Sequence, residues 1–565
     1  MMSVRKLHDL LAVVIIGLAM FMTVPVHASL TDDHVASTLQ AGNDAMDNIE
    51  LSYRRGEISY NDMIALKARA IFDPTSVPGK YLADTITARK DITMDILDIR
   101  RSWGLLDSAT KELLQGYHVG PLESPGSLAR TGTSLTQAEA SWLASDWPGS
   151  GNPVDHYATA HFCLHYTDLG PHQVDLTDTT PANGIPDLVE VTAQAAETSY
   201  SKQVTNLQWL THRGDGTRGN AGSCSGTGKM DVYFVAFSVG ALGIADVEEY
   251  DLSTSNANDA SGFIGLAQSF AGYGYPGIGA DLARVVMAHE YNHQLQFAYN
   301  VWVNMGGWDS GSWLYEATAT WMEDEVFDNV NDYTGYLYYF LTTTDYSLVD
   351  TTSLREYSSC IFMKYLSERF GALSVRRTWE HTISSTLGDP IGFNPSVATA
   401  ILESSRGTNG VVQDFEIANR RMMVPLAGWF FTPTYGYEEA SLAGYSPATP
   451  DGTINYIGAS TTWDSATNGD GILESFAADH IRIVSTVGSG TITFDGQDDK
   501  TFSVTVLLRR ASGATRVLNI ALGAGNIGSR AISSLDAYAD VTIVVLLIQS
   551  MSSTAEAQYQ ITVSP

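Results

Sequence analysis

The stretch from Asp281 to Gln296 constrains this chain more than any other. Asp281-Leu282-Ala283-Arg284-Val285-Val286-Met287 is a helical lead-in, and His289-Glu290-Tyr291-Asn292-His293 follows it without a breaker. Four residues of α-helix turn through about 400°, so His289 and His293 project from nearly one face, one turn apart. Two imidazole nitrogens placed this way can meet one tetrahedral Zn2+ at about 2.0–2.1 Å. Glu290, beside the first of them, is placed to hold a metal-bound water and take its proton. The plainer alternative is a helix whose histidines are only packed or solvated.

A third ligand is expected downstream. After Asn300 the helical pattern gives way to a breaker, Met305-Gly306-Gly307. A second helix is predicted over Trp313–Asp324, with Ser312 as its candidate cap. Glu316 sits near its start among apolar and small residues, which places it against protein. A buried carboxylate needs a partner, and a metal is one. The alternative is a salt-bridged helix carboxylate. His289, His293 and Glu316 plus one water form the three-ligand open site of a catalytic zinc.

These two segments resemble the gluzincin metallopeptidases, whose signature is H-E-x-x-H followed by a glutamate on the next helix. Trp313-Leu314-Tyr315-Glu316-Ala317-Thr318-Ala319 matches the W-L-x-E-x-x-A run of several such families. More closely, the chain resembles a poorly characterised group of bacterial secreted metallopeptidase-like proteins. That likeness rests on H-E-Y-N-H-Q-L-Q at 289–296, W-L-Y-E-A-T-A-T-W-M-E-D at 313–324 and Arg355-Glu356-Tyr357 with Arg369-Phe370-Gly371. It covers residues 150–380 well and the flanks loosely.

The resemblance implies an α+β zincin-like catalytic domain that holds Zn2+ on His289, His293 and Glu316, with Glu290 as catalytic base. It also implies a Tyr or His donor for the oxyanion; Tyr357 is the candidate and His381 the reserve. Thermolysin-like members orient a histidine with an Asp four residues after the third ligand, where this chain has Thr320. The strand Gly262–Ala267 is expected to be an edge that pairs with substrate backbone, or else an interior strand. Relatives carry an acidic D-x-D-x-N-G-x-P-D loop that looks like a Ca2+ site. Here Asp175–Asp187 keeps much of it but has Pro181 where a side-chain oxygen is wanted. Ca2+ is therefore the second ion considered, against a plain Asn-Gly turn leading into a helix at Pro186.

Targeting and charge set the outer bounds. Arg5 and Lys6 precede an apolar run from Leu10 to Val24, and Val26-His27-Ala28 ends in small-residue cleavage chemistry. A signal peptide over 1–28, cleaved after Ala28, predicts a secreted protein of 565 − 28 = 537 residues; an uncleaved N-terminal anchor is the alternative. No later run is long enough to span a membrane, and Val541–Ile548 reads as a buried strand. A formal net charge of −31 argues against nucleic acid as a partner. Cys163, Cys224 and Cys360 make no disulfide scaffold; one bridge is allowed, with Cys163–Cys224 preferred because both precede the zinc helix.

Residues 29–120 are predicted helical, with Ser59 starting one helix and Ile92, Ile96, Ile99 and Trp103 forming an amphipathic stripe. In a secreted protease such a segment is either a propeptide or a permanent helical domain. Residues 121–148 read as a linker, 149–425 as the catalytic domain and 426–565 as a C-terminal β-sandwich, from short alternating runs parted by Gly, Asp and Ser turns. His161 and His165, on a predicted strand, are taken as structural. The function expected is a secreted zinc endopeptidase acting on a protein or peptide substrate, with cell-surface association through the β domain. The rivals are a non-enzymatic surface or adhesion protein on the same scaffold, and zinc-dependent hydrolysis of some other bond.

Overall fold

The structure is a computed structural model that describes residues 45–82, 91–117, 154–214, 228–237, 241–250, 258–301, 312–351, 354–384, 407–424, 435–471, 473–548 and 556–565, with isolated positions between them. The signal peptide expected at 1–28, the linker at 121–148 and the breaker at 305–307 lie outside the described residues.

Among the described residues four α-helices come first: α1 (Ala45–Arg54), α2 (Tyr60–Phe72), α3 (Thr93–Arg101) and α4 (Ser108–Gly116). Ser59 starts α2 with a reciprocal cap: its hydroxyl accepts from Asp62 N–H at 3.2 Å, and its own N–H donates to Asp62 Oδ2 at 3.1 Å. The Lys67 ammonium, buried on α2, reaches Glu50 on α1 and Asp95 on α3, each at 3.2 Å. One cation thus ties three helices together.

A five-stranded sheet follows, made of β1 (Asp155–Ala158), β2 (Phe162–Tyr166), β3 (Met230–Val235), β4 (Gly243–Tyr250) and β5 (Ala260–Ala267) in the order β1-β2-β3-β5-β4. β2, β3 and β5 run parallel, while β1 and β4 pair antiparallel at the two edges. The pleat sends alternate residues to opposite faces, and both faces are covered. Val232, Phe234, Ile264 and Leu266 join the core formed with α5 (Asp187–Tyr200), α6 (Ala280–Tyr299) and α7 (Ser312–Val326). Tyr233, Val235 and Phe263 instead join Ile64, Ile96 and Ile99 of the N-terminal helices. The isoleucine stripe read from sequence therefore packs on the back of the sheet.

Of the two readings of Gly262–Ala267, the interior one holds: it belongs to β5, which lies inside the sheet between β3 and β4. The edge strand on that side is β4, whose run Gly243-Ile244-Ala245-Asp246-Val247-Glu248-Glu249-Tyr250 gives no clean apolar alternation. Asp246, Glu248 and Glu249 are buried in spite of their charge, so tertiary partners override the pattern here.

Short helices α8 (Leu337–Leu341), α9 (Arg355–Ser358), α10 (Cys360–Phe370) and α11 (Leu373–Glu380) pack beyond α7 and lead to α12 (Gly407–Arg421). A two-residue pairing of β6 (Met423–Val424) with β7 (Tyr435–Gly436) precedes the β-rich C-terminus. There β8 (Gly452–Tyr456), β10 (Ala478–Ser485), β12 (Phe502–Arg509), β13 (Thr515–Ile520) and β15 (Asp540–Leu547) form one sheet in the order β13-β12-β15-β10-β8. A second sheet, β14-β11-β16-β9, is built from β9 (Thr461–Asp464), β11 (Ser489–Gly496), β14 (Ile527–Ser533) and β16 (Tyr559–Ser564). The helical N-terminal region and this pair of β-sheets agree with the helix-plus-sandwich organisation expected.

β15 shows why its sequence is an unbroken apolar run. Val541, Ile543, Val545 and Leu547 point into the space between the two sheets, while Val544 and Leu546 meet Val412 and Ile417 of α12 on the other side. Phe415, from the same helix, packs into the core of the first region. Among the described residues no helix is long and apolar enough to cross a membrane.

His480 on β10 is buried at this junction, with Nδ1 facing Thr344 Oγ1 at 3.1 Å and Nε2 facing the Glu416 carbonyl at 3.3 Å. Burial, helped by the Arg420 charge, pushes its pKa down to about 3. A depressed histidine contributes stability that is present above the unfolded value near 6.5 and is lost as pH falls towards the folded value. Roughly 1 kcal/mol per pH unit is therefore expected to go below about pH 6.5. Urea titrations from pH 7 to 4 should show a shallower dependence in His480→Gln; equal slopes would refute it.

Candidate metal centre

The site is built where α6 and α7 meet beneath the β4 edge. From Leu282 to Tyr299 every residue of α6 but Arg284 is buried, so the helix is enclosed on all sides and its polar groups must find protein partners. Two glycines permit the approach. A Cβ on Gly243 would sit 2.2 Å from Glu290 Oε1, and one on Gly262 would sit 2.1 Å from the Asp246 carbonyl and 2.9 Å from Gln294. The absence of these side chains lets the helix carrying Glu290 lie directly against the strands.

His289 and His293 face inward together, as their spacing predicts. His289 Nε2 is 3.1 Å from Glu316 Oε2, and His293 Nε2 is 3.7 Å from the same oxygen. A fourth group, absent from the sequence reading, joins them. Asp91 Oδ2, two residues before α3, lies 3.2 Å from His293 Nε2 and 3.5 Å from His289 Nε2. Ligands about 2.0–2.1 Å from a tetrahedral Zn2+ stand roughly 3.3 Å from one another. The four measured separations bracket that value.

Each imidazole is held by its other nitrogen. His289 Nδ1 donates to Glu323 Oε1 at 2.7 Å. His293 Nδ1 donates to Gln296 Oε1 at 2.7 Å, and the Gln296 amide is anchored on the Tyr315 carbonyl at 3.0 Å and Asn292 Oδ1 at 2.7 Å. Both bonds leave Nε2 for the common centre. The position left open at Thr320 is decided here: its hydroxyl is buried and makes no hydrogen bond, and Glu323, one turn further along α7, supports His289 instead. If metal binds here, Glu323→Gln is expected to lower its affinity roughly 10- to 100-fold, measured by competition with a chromogenic chelator. Unchanged affinity would remove Glu323 from the site.

The electrostatics suit a cation. Asp91, Glu290, Glu316 and Glu323 bring four buried carboxylates to two imidazoles. Burial opposes charging His289, yet hydrogen bonds from Asp91, Glu316 and Glu323 hold its pKa well above the usual range. The same contest, with Glu316 and Asp91 opposing burial, leaves His293 raised to about 10. Burial would raise Asp91, but its bonds to both histidines hold it low. Burial and the neighbouring Asp91 charge push Glu290 well above its ordinary value. A cluster that borrows protons to neutralise its carboxylates is one in which a divalent ion can take their place. Glu290 Oε1 is moreover buried without any hydrogen bond, a donor site left open beside the cluster.

The other candidate residues divide. Tyr357, on α9, reaches the site: its hydroxyl donates to the Asp91 carbonyl at 3.3 Å and its ring stacks on His289 with centroids 6.2 Å apart. His381 heads the turn after α11 and is not part of the ligand grouping found among the described residues. In the loop considered for Ca2+, Asp178 accepts from the Asn183 and Gly184 amides, and Asp187 accepts from the Thr179 and Thr180 amides. Those carboxylates close a turn, and the loop contributes to no ligand grouping among the described residues.

Two further groups could hold a metal by proximity alone. His156, Cys163, His165 and Cys224 converge, but the two sulfurs are joined in a disulfide with Cα atoms 5.7 Å apart, which consumes the thiolates. Asp324, Asp328 and Glu439 converge as well, but the Lys364 ammonium sits 2.5 Å from Asp324 and 2.8 Å from Glu439. Only the Asp91-His289-His293-Glu316 group combines full burial with oriented imidazoles and an unoccupied neighbouring carboxylate oxygen, among the described residues.

Sequence reasoning missed Asp91, Thr93, Gln296 and Glu323. Glu323 lies seven residues after Glu316, two helical turns on, so helical spacing could have placed both on one face. Asp91 is 202 residues from His293, and no local pattern links them.

The model of DUF6055, a family of unknown function, matches residues 276–395. The match takes in His289, Glu290, His293, Glu316, Glu323 and Tyr357 and leaves Asp91 outside. No curated protein matches the chain.

Proposed function

We propose that this chain is a secreted zinc-dependent endopeptidase. The observation that carries the reading is the buried convergence of His289, His293 and Glu316 around one point, with the Glu290 carboxylate beside it and its Oε1 unbonded. His289, His293 and Glu316 would hold the ion. A bound Zn2+ supplies a Lewis acid and lowers the pKa of a coordinated water towards about 7.

The protein's own groups do the rest. Glu290 accepts the proton of the attacking water through Oε1 and returns it to the leaving amine. Glu323 and Gln296 hold the two imidazoles in one tautomer and orientation. Tyr357 directs its hydroxyl at a backbone carbonyl, the group on which charge develops during peptide hydrolysis. The β4 edge offers main-chain groups to an extended substrate. The proposed export fits the apolar run at Leu10–Val24 and the Cys163–Cys224 disulfide, which needs an oxidising compartment.

The exported protein should carry one zinc per chain by elemental analysis and, once limited proteolysis has removed the N-terminal helices that cross the site, cleave casein, with activity lost to a chelator and restored by Zn2+. Stoichiometric zinc with no cleavage of casein or of a peptide library would reject the peptidase reading and favour a non-catalytic metal scaffold.

A further inference from the structure

The metal cluster is not made by the catalytic helices alone: its fourth member arrives on the N-terminal segment, and four other contacts bring that segment across the site. Asp91 Oδ2 faces both ligand nitrogens, while Asp91 Oδ1 accepts from Thr93 N–H at 2.6 Å, which fixes the carboxylate's orientation. Thr93 Oγ1 donates to Glu290 Oε2 at 3.2 Å and accepts from the Ala245 amide of β4 at 2.8 Å. The backbone at Asp91 pairs in parallel with Gly243 at the β4 edge, and the Asp91 carbonyl takes the Tyr357 hydroxyl.

Each of these contacts occupies something that turnover needs. The fourth ligand position is where a water must bind for a catalytic metal to act. Glu290 Oε2 is half of the base, the β4 edge is the place for substrate backbone, and Tyr357 is the donor for a substrate carbonyl. Four separate functions are covered by a stretch of three residues, Asp91-Ile92-Thr93.

We propose that residues 91–93 form a built-in stopper: Asp91 is the fourth protein ligand of the metal, and the N-terminal helical segment keeps the site closed until it is displaced. This deepens the peptidase reading and rests on it. The stopper is held by more than its own ligation. Arg100, two turns along α3, makes a bidentate ion pair with Asp246 of β4, at 3.0 and 2.8 Å, with both side chains buried. Ile92, Ile96 and Ile99 bury against Tyr233, Val235, Ile244 and Phe263 on the sheet. With an anchor of this size, opening requires the segment to be removed as a unit, which assigns residues 45–117 to a latency segment.

The test uses the full chain loaded with Co2+, whose visible spectrum reports the ligand set. In the native sequence the spectrum should stay fixed from pH 6 to 9 and be unmoved by acetohydroxamic acid, because no water-bearing position is present. Asp91→Asn keeps the oxygen that accepts from Thr93 N–H but removes the charged ligand atom. It should give a pH-dependent spectrum and a large shift with acetohydroxamate; in the Asp91→Asn/Arg100→Met chain, which also lacks the anchoring ion pair, chelator-sensitive casein cleavage should rise roughly tenfold or more, as expected when a site closed more than about nine-tenths of the time is opened. Asp91→Ala provides the same readings should the asparagine still coordinate. If native and variant chains take up Co2+ and respond to acetohydroxamate equally, the stopper is overturned while the metal site stands. If the native chain takes up no Co2+ at all, the metal reading itself fails and the inference falls with it. Spectral opening without casein cleavage upholds the stopper and counts against the peptidase reading alone.

Discussion

Glu290→Gln is expected to leave metal content unchanged and to cut peptide hydrolysis by roughly 10²–10⁴-fold, the span of a lost general base. The amide keeps the shape of the carboxylate and can still accept from the Thr93 hydroxyl, so folding should be undisturbed. What it cannot do is take a proton. The substitution is best made both in the native sequence and together with Asp91→Asn/Arg100→Met, so that a closed site cannot hide the comparison. Elemental analysis and a fluorogenic peptide assay give the two readings. Full activity with full metal would show that another group moves the proton, and Glu290 would lose its assigned role. Loss of metal would be a different failure, because Glu290 is placed beside the ligands and not among them.

Arg100→Met should cost about 3–5 kcal/mol, the penalty for removing one member of a buried ion pair. The guanidinium lies flat against Asp246 with both side chains almost fully enclosed, and methionine fills much of the volume while leaving the carboxylate without that cation. The loss is expected in the docking of α3 on β4, so it should appear as an early urea transition of the N-terminal helices ahead of the main one. A companion Arg100→Met/Asp246→Leu chain should recover much of the stability, since an apolar pair of similar volume often matches a buried ion pair. A loss under about 1 kcal/mol would mean the pair is solvated and behaves as a surface salt bridge.

Legibility followed the range of the interactions. His289, Glu290, His293 and Glu316 could be found because a helix converts a spacing of four into one face, and because an isolated carboxylate among Trp313, Leu314 and Ala317 asks for a partner. The strands of the C-terminal sheets were readable for the same reason, with Thr491-Ile492-Thr493-Phe494 and Tyr559-Gln560-Ile561-Thr562-Val563 alternating as the pleat requires. β4 was not, because its three buried acids break the alternation and are tolerated only through partners far away in sequence. The spacing of thermolysin-like members points to position 320, where this chain has a threonine; His289 is held by Glu323 instead, and only packing reveals which turn of α7 faces it.

By itself the sequence determined which groups could gather at one metal centre: two imidazoles one turn apart, a carboxylate between them and another on the next helix, all set by helical geometry acting over short distances. The tertiary structure alone decided that Asp91 joins them, that Thr93 covers Glu290 and that β4, not β5, is an edge strand. The reason is physical. Local spacing fixes which side chains share a face, but which distant segment closes over that face depends on the burial of Ile92, Ile96 and Ile99 and on the Arg100–Asp246 pair, interactions that exist only once the sheet has formed.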